Sequence, residues 1–214
     1  MKRYIYILAC TFGMMSCIQD DYLVDGGVSS QEIGTDTYTF LQSHPQLDTL
    51  ALLIERAGLI DDVNGENTLF APNNLSIKRY VDEVLSEMRE VDPEAEYTVN
   101  DIPVDTLEKY MGGYIFPGKI TRDDMTLEGD ILTAINGEQR RISLEPRDEE
   151  PYEDKLSSFP EYVFYTYKKG EDWDEWDRIV DDRLVRVRSS NLLSTNGVIH
   201  ALQGNHILFD YEGN

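Results

Sequence analysis

The chain has 214 residues, of which 41% are hydrophobic, and this suffices for one domain with a sizeable core and a short extension. It carries 41 acidic and 19 basic residues, a formal net charge of −22. We expect no nucleic-acid partner, because phosphates would meet a like-charged surface. Collagen, coiled-coil and multi-span membrane proteins are excluded too, since the chain has only 15 glycines and lacks long apolar or heptad runs.

The amino terminus has the pattern of an export signal. Two basic residues precede an uncharged apolar stretch at residues 4–15, which is too short to cross a membrane as a helix. The stretch ends at Ser16-Cys17, and a small residue before a cysteine resembles the cleavage site of bacterial lipoproteins. We therefore expect residues 1–16 to be a lipoprotein signal peptide and Cys17 to carry the lipid.

Two alternatives to this interpretation stay open. Cleavage before Cys10 would leave an apolar run of about six residues, below the ~7–15 that a signal peptide needs. The chain could also be an ordinary secreted protein in which Cys17 is a buried cysteine.

The residues after Cys17 predict a location. The acidic pair Asp20-Asp21 close behind it resembles the surface-export tag of some Gram-negative lipoproteins. The following stretch is rich in Gly, Ser and Asp, so we interpret residues 17–36 as a lipidated cysteine and a flexible tether. The prediction is an outer-membrane lipoprotein, exposed at the surface and attached to the membrane by its lipid anchor.

Three helices are predicted from capping residues and apolar spacing. Ser43 and Gln46 form a capping-box pattern before the first helix, and Gly58 fits its end. Asn73 and Asn74 are expected to cap the second. The apolar positions expected to face the core are Leu47, Leu50, Ala51, Ile54 and Ala57 in the first helix, Ile77, Val81, Val84, Leu85 and Met88 in the second, and Val104, Leu107 and Met111 in the third.

The pattern then changes to strands. Asn136-Gly137 is the strongest hairpin signal in the chain. Residues 145–182 differ in composition, with many charges and aromatic side chains. The predicted strands are residues 68–71, 114–116, 126–128, 131–135, 140–144, 162–167, 184–187, 198–201 and 206–209.

Three sequence blocks occur in order over one domain length. They are Glu55-Arg56-Ala57-Gly58-Leu59 with Thr68-Leu69-Phe70-Ala71-Pro72-Asn73-Asn74, Pro117-Gly118-Lys119-Ile120-Thr121 with Thr126-Leu127-Glu128-Gly129, and Ser194-Thr195-Asn196-Gly197-Val198-Ile199-His200. In these blocks the chain resembles the fasciclin (FAS1) domain. The resemblance covers roughly residues 37–211.

This resemblance implies an α+β fold, a wedge-shaped β-sandwich of about seven strands with several helices packed over one edge. We place the domain at residues 37–212, with an insert at about residues 145–182 that is longer than usual for the family. Family members are mostly extracellular adhesion or ligand-contact modules and are not usually enzymes.

The sequence departs from the family at one motif. Many members carry a Tyr-His pair, associated with integrin contact, just before the apolar-apolar-Pro-Gly segment. Here Gly113-Tyr114 precedes that segment, so the His is absent and the Tyr is displaced by one position. Integrin-type adhesion is therefore not carried over.

The residue types needed for catalysis do not come together in the sequence. The three histidines are His44, His200 and His206, and none belongs to a nucleophile or metal motif. His200 lies inside an apolar strand and is interpreted as a buried structural residue. We therefore expect no catalytic residue, no metal site and no cofactor.

The insert carries the one hint of a ligand. Trp173, Trp176, Tyr165 and Tyr167 could form flat platforms beside carboxylates, the kind of surface on which sugars stack. The alternative is plain packing, because alternating aromatic residues in a strand usually face the core. The acids around the tryptophans make deep burial costly, so at least one indole should stay partly exposed.

These observations predict a non-enzymatic cell-surface lipoprotein that acts in adhesion or in contact with a ligand or protein. The alternative is an accessory glycan-binding subunit of an outer-membrane polysaccharide capture system, with a surface glycan or an outer-membrane protein as its partner. A third interpretation is a purely structural envelope protein.

Overall fold

A computed structural model describes residues 31–147 and 160–212. By its contacts the chain divides into residues 1–30 and residues 31–214, and the description below concerns the second unit. Within the described part, no helix combines the length and the apolar character needed to span a membrane.

Several predictions lie outside the described residues. They are the signal peptide at residues 1–16, the lipidation of Cys17, the acidic tag at Asp20-Asp21 and the charged part of the insert at residues 148–159.

Five α-helices lie in the described part, all of them in its first half. They are α1 (Thr37–Ser43), α2 (Asp48–Arg56), α3 (Ile60–Val63), α4 (Asn74–Val91) and α5 (Val104–Tyr110). Single 3-10 turns occur at Val99–Asp101, Met111–Tyr114, Arg122–Asp124 and Leu208–Asp210.

The start of α4 confirms a predicted cap. The Asn73 side chain accepts a hydrogen bond from the Ser76 backbone N–H at 3.0 Å, which satisfies one of the free donors of the first turn. Ile77 and Tyr80 are buried on the inner face of the helix. Met88, predicted to face the core, is 40% exposed, because the buried side chains of α4 lie in its first two turns and end at Tyr80.

Seven strands form the sheet of the described part, and the first of them lies between α3 and α4. They are β1 (Asn67–Ala71), β2 (Ile115–Pro117), β3 (Asp130–Thr133), β4 (Gln139–Pro146), β5 (Glu161–Tyr167), β6 (Arg183–Leu193) and β7 (Val198–Leu202). Their order in the sheet is β2-β1-β7-β6-β5-β4-β3. β1 and β7 are parallel, and the other neighbours are antiparallel. The predicted Asn136-Gly137 turn joins β3 to β4, with Gly137 in the left-handed region at φ 87°.

The long strand β6 turns the sheet back on itself. Its first residues pair with β5 and its last residues with β7, with register shifts on either side of Ser189. Such bulges bend a strand. The two halves of the sheet therefore face each other, and the ring centroids of Phe70 and Tyr165 lie 5.2 Å apart. Beyond β3, the Ile135 N–H donates to the Ile115 carbonyl at 2.9 Å and almost closes the sheet.

This architecture confirms the predicted fold class, an α+β domain with seven strands and several helices. The helices bury Leu50, Leu53, Ile54 and Leu107 completely against the sheet. One hydrophobic cluster runs through both halves of the sheet and all the helical layers.

The end of the predicted tether belongs to the folded domain. The Ile33 N–H donates to the Leu193 carbonyl at 2.9 Å, and the Leu193 N–H donates to the Gln31 carbonyl at 2.7 Å. The Thr195 N–H adds a bond of 2.9 Å to the Thr35 carbonyl. The prediction of a free tether is thus wrong for residues 31–36, because their backbone groups extend the hydrogen bonding at the end of β6.

The capping box predicted at Ser43 is also wrong. Asp36 begins α1 by accepting from the Thr39 N–H at 2.9 Å and the Thr39 hydroxyl at 2.7 Å. Ser43 is then the last residue of that helix, and its hydroxyl donates to the Phe40 carbonyl at 3.0 Å. α2 begins at Asp48 without a side-chain cap.

Two predicted strands are absent from the described structure. Residues 126–128 form a loop beside β4, where the Thr126 carbonyl accepts from the Leu144 N–H at 2.9 Å. Residues 206–209 run into a 3-10 turn, because Phe209 has φ 64° and a left-handed residue cannot continue a strand. The Phe209 N–H instead donates to the Tyr114 hydroxyl at 2.7 Å.

Candidate functional site

The loop at residues 168–182, between β5 and β6, contains both tryptophans and is organised by its own carboxylates. One oxygen of Asp174 accepts three backbone N–H groups, from Val180 at 2.7 Å, Asp181 at 2.7 Å and Asp182 at 2.8 Å. These bonds favour the ionised form and lower the pKa of Asp174. At least one acid of this loop therefore stabilises the loop's own backbone conformation.

Asp182 joins the same loop to the sheet. Its buried carboxylate accepts from the Asp174 N–H at 3.0 Å and the Lys169 N–H at 3.2 Å. It also lies 3.7 Å from the Arg141 guanidinium on β4. Arg141 donates in addition to the Asp174 carbonyl, so one buried cation contacts both the middle and the end of the loop. This pairing offsets the cost of burying the charges.

The two indoles lie in different surroundings. Both are partly buried and partly exposed, as the flanking acids led us to expect for at least one of them. The Arg141 guanidinium carbon is 5.6 Å from the ring centre of Trp173, so this indole packs on the cation that holds the loop. Trp176 lines a surface cleft of about 510 Å³.

The Trp176 cleft combines an aromatic face with fixed charges. Glu145, buried on β4, accepts from the Ser143 hydroxyl and from Arg147, each at 2.6 Å. Arg147 also lies 4.7 Å from the ring centre of Phe164. Leu127, Ile179 and Leu184 supply an apolar wall. Such a cleft can stack a flat or ring-shaped group on the indole while Arg147 donates hydrogen bonds to it.

The tyrosines predicted as platforms lie elsewhere. Tyr165 is fully buried, and its hydroxyl accepts from Arg140 at 3.0 Å and donates to the Gly113 carbonyl at 2.8 Å. Tyr167 is 6% exposed, and its hydroxyl donates to Tyr114 at 3.1 Å. Neither ring is an exposed platform beside the tryptophans. Residues two apart on β5 share one face, and this face is turned to the core.

His200 lies at the centre of β7, as predicted, and is buried. Its Nε2 donates to the Ile120 carbonyl at 2.9 Å, and its Nδ1 accepts from the Asn191 N–H at 3.4 Å. The ring stacks on Phe70 at 4.9 Å. Burial lowers its pKa to about 4, so the ring is neutral at pH 7 and fully bonded in that state.

His206 forms a second polar cluster that the sequence did not indicate. Its Nε2 is 2.8 Å from the Tyr114 hydroxyl and 3.4 Å from the Tyr167 hydroxyl. Burial lowers the pKa of His206 to about 3, so this ring is neutral as well. The three side chains come from distant parts of the chain, and only the fold brings them together.

A small cavity adjoins this cluster and was also missed. It is lined by Tyr110, Tyr114, Glu138, Arg140, Tyr167, Lys168, Lys169, Phe209 and Asp210. The sequence held one signal for it, because Lys168-Lys169 and Arg140-Arg141 are adjacent basic pairs in an acidic chain.

No group of three or more His, Cys, Asp or Glu side chains among residues 31–147 and 160–212 is arranged to hold a metal ion. The turn at Asp62-Val63-Asn64-Gly65 is a backbone turn in which the Gly65 N–H donates to the Asp62 carbonyl at 3.2 Å.

Comparison with known proteins places the chain in a family. The model of the fasciclin domain matches residues 45–204. Among solved structures, the FAS1 domain pair from the insect cell adhesion molecule fasciclin I is similar, with 15% sequence identity and a TM-score of 0.47. The match covers 83% of this chain and 50% of that one, so the chain spans about half the length of that structure. No curated protein matches the sequence.

Proposed function

Because the chain belongs to the fasciclin domain family, we propose that it is a non-enzymatic contact protein that binds a partner through the Trp176 cleft. Domains of this family often take part in cell adhesion and are generally not enzymes. The proposal assigns the contact to a definite surface of this chain and places the chain on a membrane surface by a lipid at Cys17.

The observation that carries the proposal is a partly exposed tryptophan held by rigid supports. The loop of Trp176 is fixed by Asp174 and Asp182, so the indole need not be ordered when a partner binds. Aromatic anchors of this kind, with a guanidinium such as Arg147 beside them, dominate the binding energy of many interfaces.

The membrane attachment rests on the sequence and on where the folded domain begins. The apolar segment ending at Ser16-Cys17 supports lipidation. Thirteen residues separate Cys17 from Gln31, the first described residue, and the fourteen steps along the chain span at most ~50 Å at ~3.3–3.6 Å each. The end of β6 would therefore lie within that distance of the bilayer.

The test of the anchor is metabolic labelling with a fatty acid. Wild-type chain should take up the label and sediment with membranes, whereas Cys17→Ser should do neither. Label remaining on Cys17→Ser would show that Cys10 or another residue is the anchor. Protease added to intact cells should remove the domain, and full protection would contradict surface exposure.

The test of the contact surface uses Trp176→Ala with Trp173→Ala as its matched control. Adhesion of the chain, immobilised on beads, to cell surfaces and matrix proteins should fall about tenfold or more for Trp176→Ala. Trp173→Ala removes the same type of ring outside the cleft and should bind normally. If Trp176→Ala instead loses the ~3–5 kcal/mol of unfolding free energy typical of a core aromatic, the cleft is packing and the contact lies elsewhere.

A glycan is the second candidate partner, favoured by the indole face beside hydrogen-bonding Arg147 and Glu145. A glycan array probed with the Cys17→Ser chain separates the two. Binding to a defined set of sugars that Trp176→Ala abolishes would identify an accessory subunit of a polysaccharide capture system. If the chain binds no glycan on the array but still adheres to cell surfaces or matrix proteins, its partner is a protein.

A further inference from the structure

We infer that the cavity beside Tyr110 and Phe209 is a second binding site, and that it takes a single ring carrying a carboxylate, such as a uronic acid. We call it the carboxylate cavity. The lining residues that would contact the ligand are Tyr110, Phe209, Tyr167, Arg140, Lys168 and Lys169. Its residues are distinct from those of the Trp176 cleft.

The cavity has the size of a small ligand. Its volume is about 220 Å³, just below the ~300 Å³ at which sites for drug-sized molecules begin. At ~30 Å³ for each water, it equals about seven water molecules. One six-membered ring with its substituents fits this space, and a chain of rings does not.

The charge of the cavity is opposite to that of the chain. Four cations meet here, Arg140, Lys168, Lys169 and Arg183, in a chain with a formal net charge of −22. The carboxylates beside them are fewer: Glu138 pairs with Arg140 at 2.5 Å, Asp210 with Lys169 and Arg183, and Glu212 with Lys169 at 2.7 Å. One positive charge is left over, which favours an anion.

Lys168 supplies that charge. Its ammonium donates to the Glu171 carbonyl and forms no ion pair with a carboxylate of the described residues. An ammonium has three donors, so two remain for a ligand at the cavity. Since Lys168 is exposed, it can turn towards a bound anion without breaking the core.

Arg140 supplies a rigid donor. Its guanidinium carbon lies 4.2 Å from the ring centre of Tyr167, so the cation sits over the face of that ring. Nε donates to Tyr165 at 3.0 Å, Nη1 to the Gln139 carbonyl at 2.8 Å and Nη2 to Glu138 at 2.5 Å. Three of the five N–H groups are thus used, and two are left to meet a carboxylate.

The aromatic wall is fixed by strained backbone. Phe209 and Asp210 have φ of 64° and 53°, left-handed values that cost non-glycine residues energy. Such strain persists where the surroundings impose it, and it is concentrated at functional sites. Here the Tyr114 hydroxyl and the ion pairs of Asp210 impose it, and the Phe209 ring lies 5.6 Å from Tyr110. The result is an apolar face beside the cations, as a charged sugar ring requires.

The experiment is a ligand-observed saturation-transfer NMR titration of the full chain in a sugar-free detergent. The probes are glucuronate and galacturonate, which carry ring and carboxylate, glucose, which carries the ring alone, and acetate, which carries the carboxylate alone. We expect signal from an acid sugar that weakens as salt is added, with little or none from glucose and acetate. No signal from either acid sugar up to 10 mM, or equal signal from glucose, would overturn the inference.

Variants locate the binding. Lys168→Ala should weaken binding of the acid sugar about tenfold, the loss expected for one charge-assisted hydrogen bond. Lys78→Ala is the matched control, because it removes the same charge from the exposed face of α4, where its partner is Asp82. Equal effects of the two variants would show general attraction of anions to lysines and overturn the site. Trp176→Ala should leave this binding unchanged, so the result does not depend on the proposed contact cleft.

Discussion

The two buried histidines are equally enclosed and are hydrogen-bonded by different parts of the chain. His200 is bonded at both ring nitrogens, whereas His206 is bonded at Nε2 alone, because its buried Nδ1 has no partner among the described residues. His200, with 0% exposure, is bonded by backbone groups at both nitrogens and sits between paired strands. His206, with 1% exposure, is bonded by the hydroxyls of Tyr114 and Tyr167.

The difference distinguishes the backbone of the sheet around His200, which we call the frame of the domain, from the side-chain cluster around His206. A histidine bonded to backbone cannot lose its partners unless the sheet itself moves. A histidine bonded to side chains depends on residues that also line the carboxylate cavity, and single substitutions can alter it. Substitutions at His200 should therefore lower the free energy of unfolding of the whole domain more than substitutions around His206 do, and the latter should act mainly on the residues near the cavity.

The largest effect is expected for His200→Ala. The change leaves the Ile120 carbonyl and the Asn191 N–H without a partner and opens a cavity next to Phe70. Together these should lower the free energy of unfolding by about 3–5 kcal/mol. Chemical denaturation measures it, and binding should fall only as far as the folded fraction falls. A variant of unchanged stability that no longer binds would place His200 in a site and break the comparison.

The pH dependence comes next and tests both histidines. Burial lowers the pKa of His200 to about 4 and that of His206 to about 3, whereas the unfolded chain titrates near ~6.5. The unfolded state therefore binds more protons below that pH, and stability that is complete above pH 6.5 is lost as the pH falls towards these values. At pH 5 the loss is about 2 kcal/mol for each histidine.

His206→Gln isolates one of the two contributions. Denaturation at pH 7 and pH 5 should show that wild type loses about 2 kcal/mol more than the variant, because the charge repulsion of the rest of the chain cancels in the difference. Equal losses would mean that His206 is already accessible to protons in the folded state.

The smallest effects distinguish the hydroxyls around His206. Tyr114→Phe leaves the Phe209 N–H without its acceptor and leaves the Tyr167 hydroxyl and the His206 Nε2 only each other, 3.4 Å apart, so it should cost about 2 kcal/mol. Tyr167→Phe leaves Tyr114 with two other partners and should cost about 1 kcal/mol. Thermal unfolding of the two variants side by side ranks them. A larger loss for Tyr167→Phe than for Tyr114→Phe would show that the Tyr167 hydroxyl contributes more to the stability of the cluster.

Local chemistry made much of the frame predictable. Asn73 caps α4, and Asn136-Gly137 joins β3 to β4, because each residue has one strong backbone preference and the fold agrees with it. Ser43 misled because Asp36 had already started a helix that ends there, so the same residue type served the opposite end.

Long-range contacts made the rest unpredictable. The strand expected at residues 206–209 is replaced by a turn that the Tyr114 hydroxyl stabilises from far along the chain. Tyr165 and Tyr167 were assigned to the right strand, but contacts from distant parts of the chain bury both faces of β5, so neither face offers a platform. The sequence indicated only that the acids near Trp176 make deep burial costly, whereas in the fold Asp174 and Asp182 hold the loop through hydrogen bonds to its backbone.

The position of β1 has a consequence for how the chain folds. Among the residues that the structure describes, β1 pairs with β2 and β7 alone, and its parallel partner β7 is the last of the seven strands along the chain. Such a pairing must close a very long loop of chain before it gains anything, which makes it slow. A chain still growing on the ribosome, with everything up to β6 in place, would leave one edge of β1 unpaired and the face of the Phe70 ring that stacks on His200 uncovered. The domain is therefore expected to fold after its synthesis rather than during it, with the docking of β7 as the step that completes it.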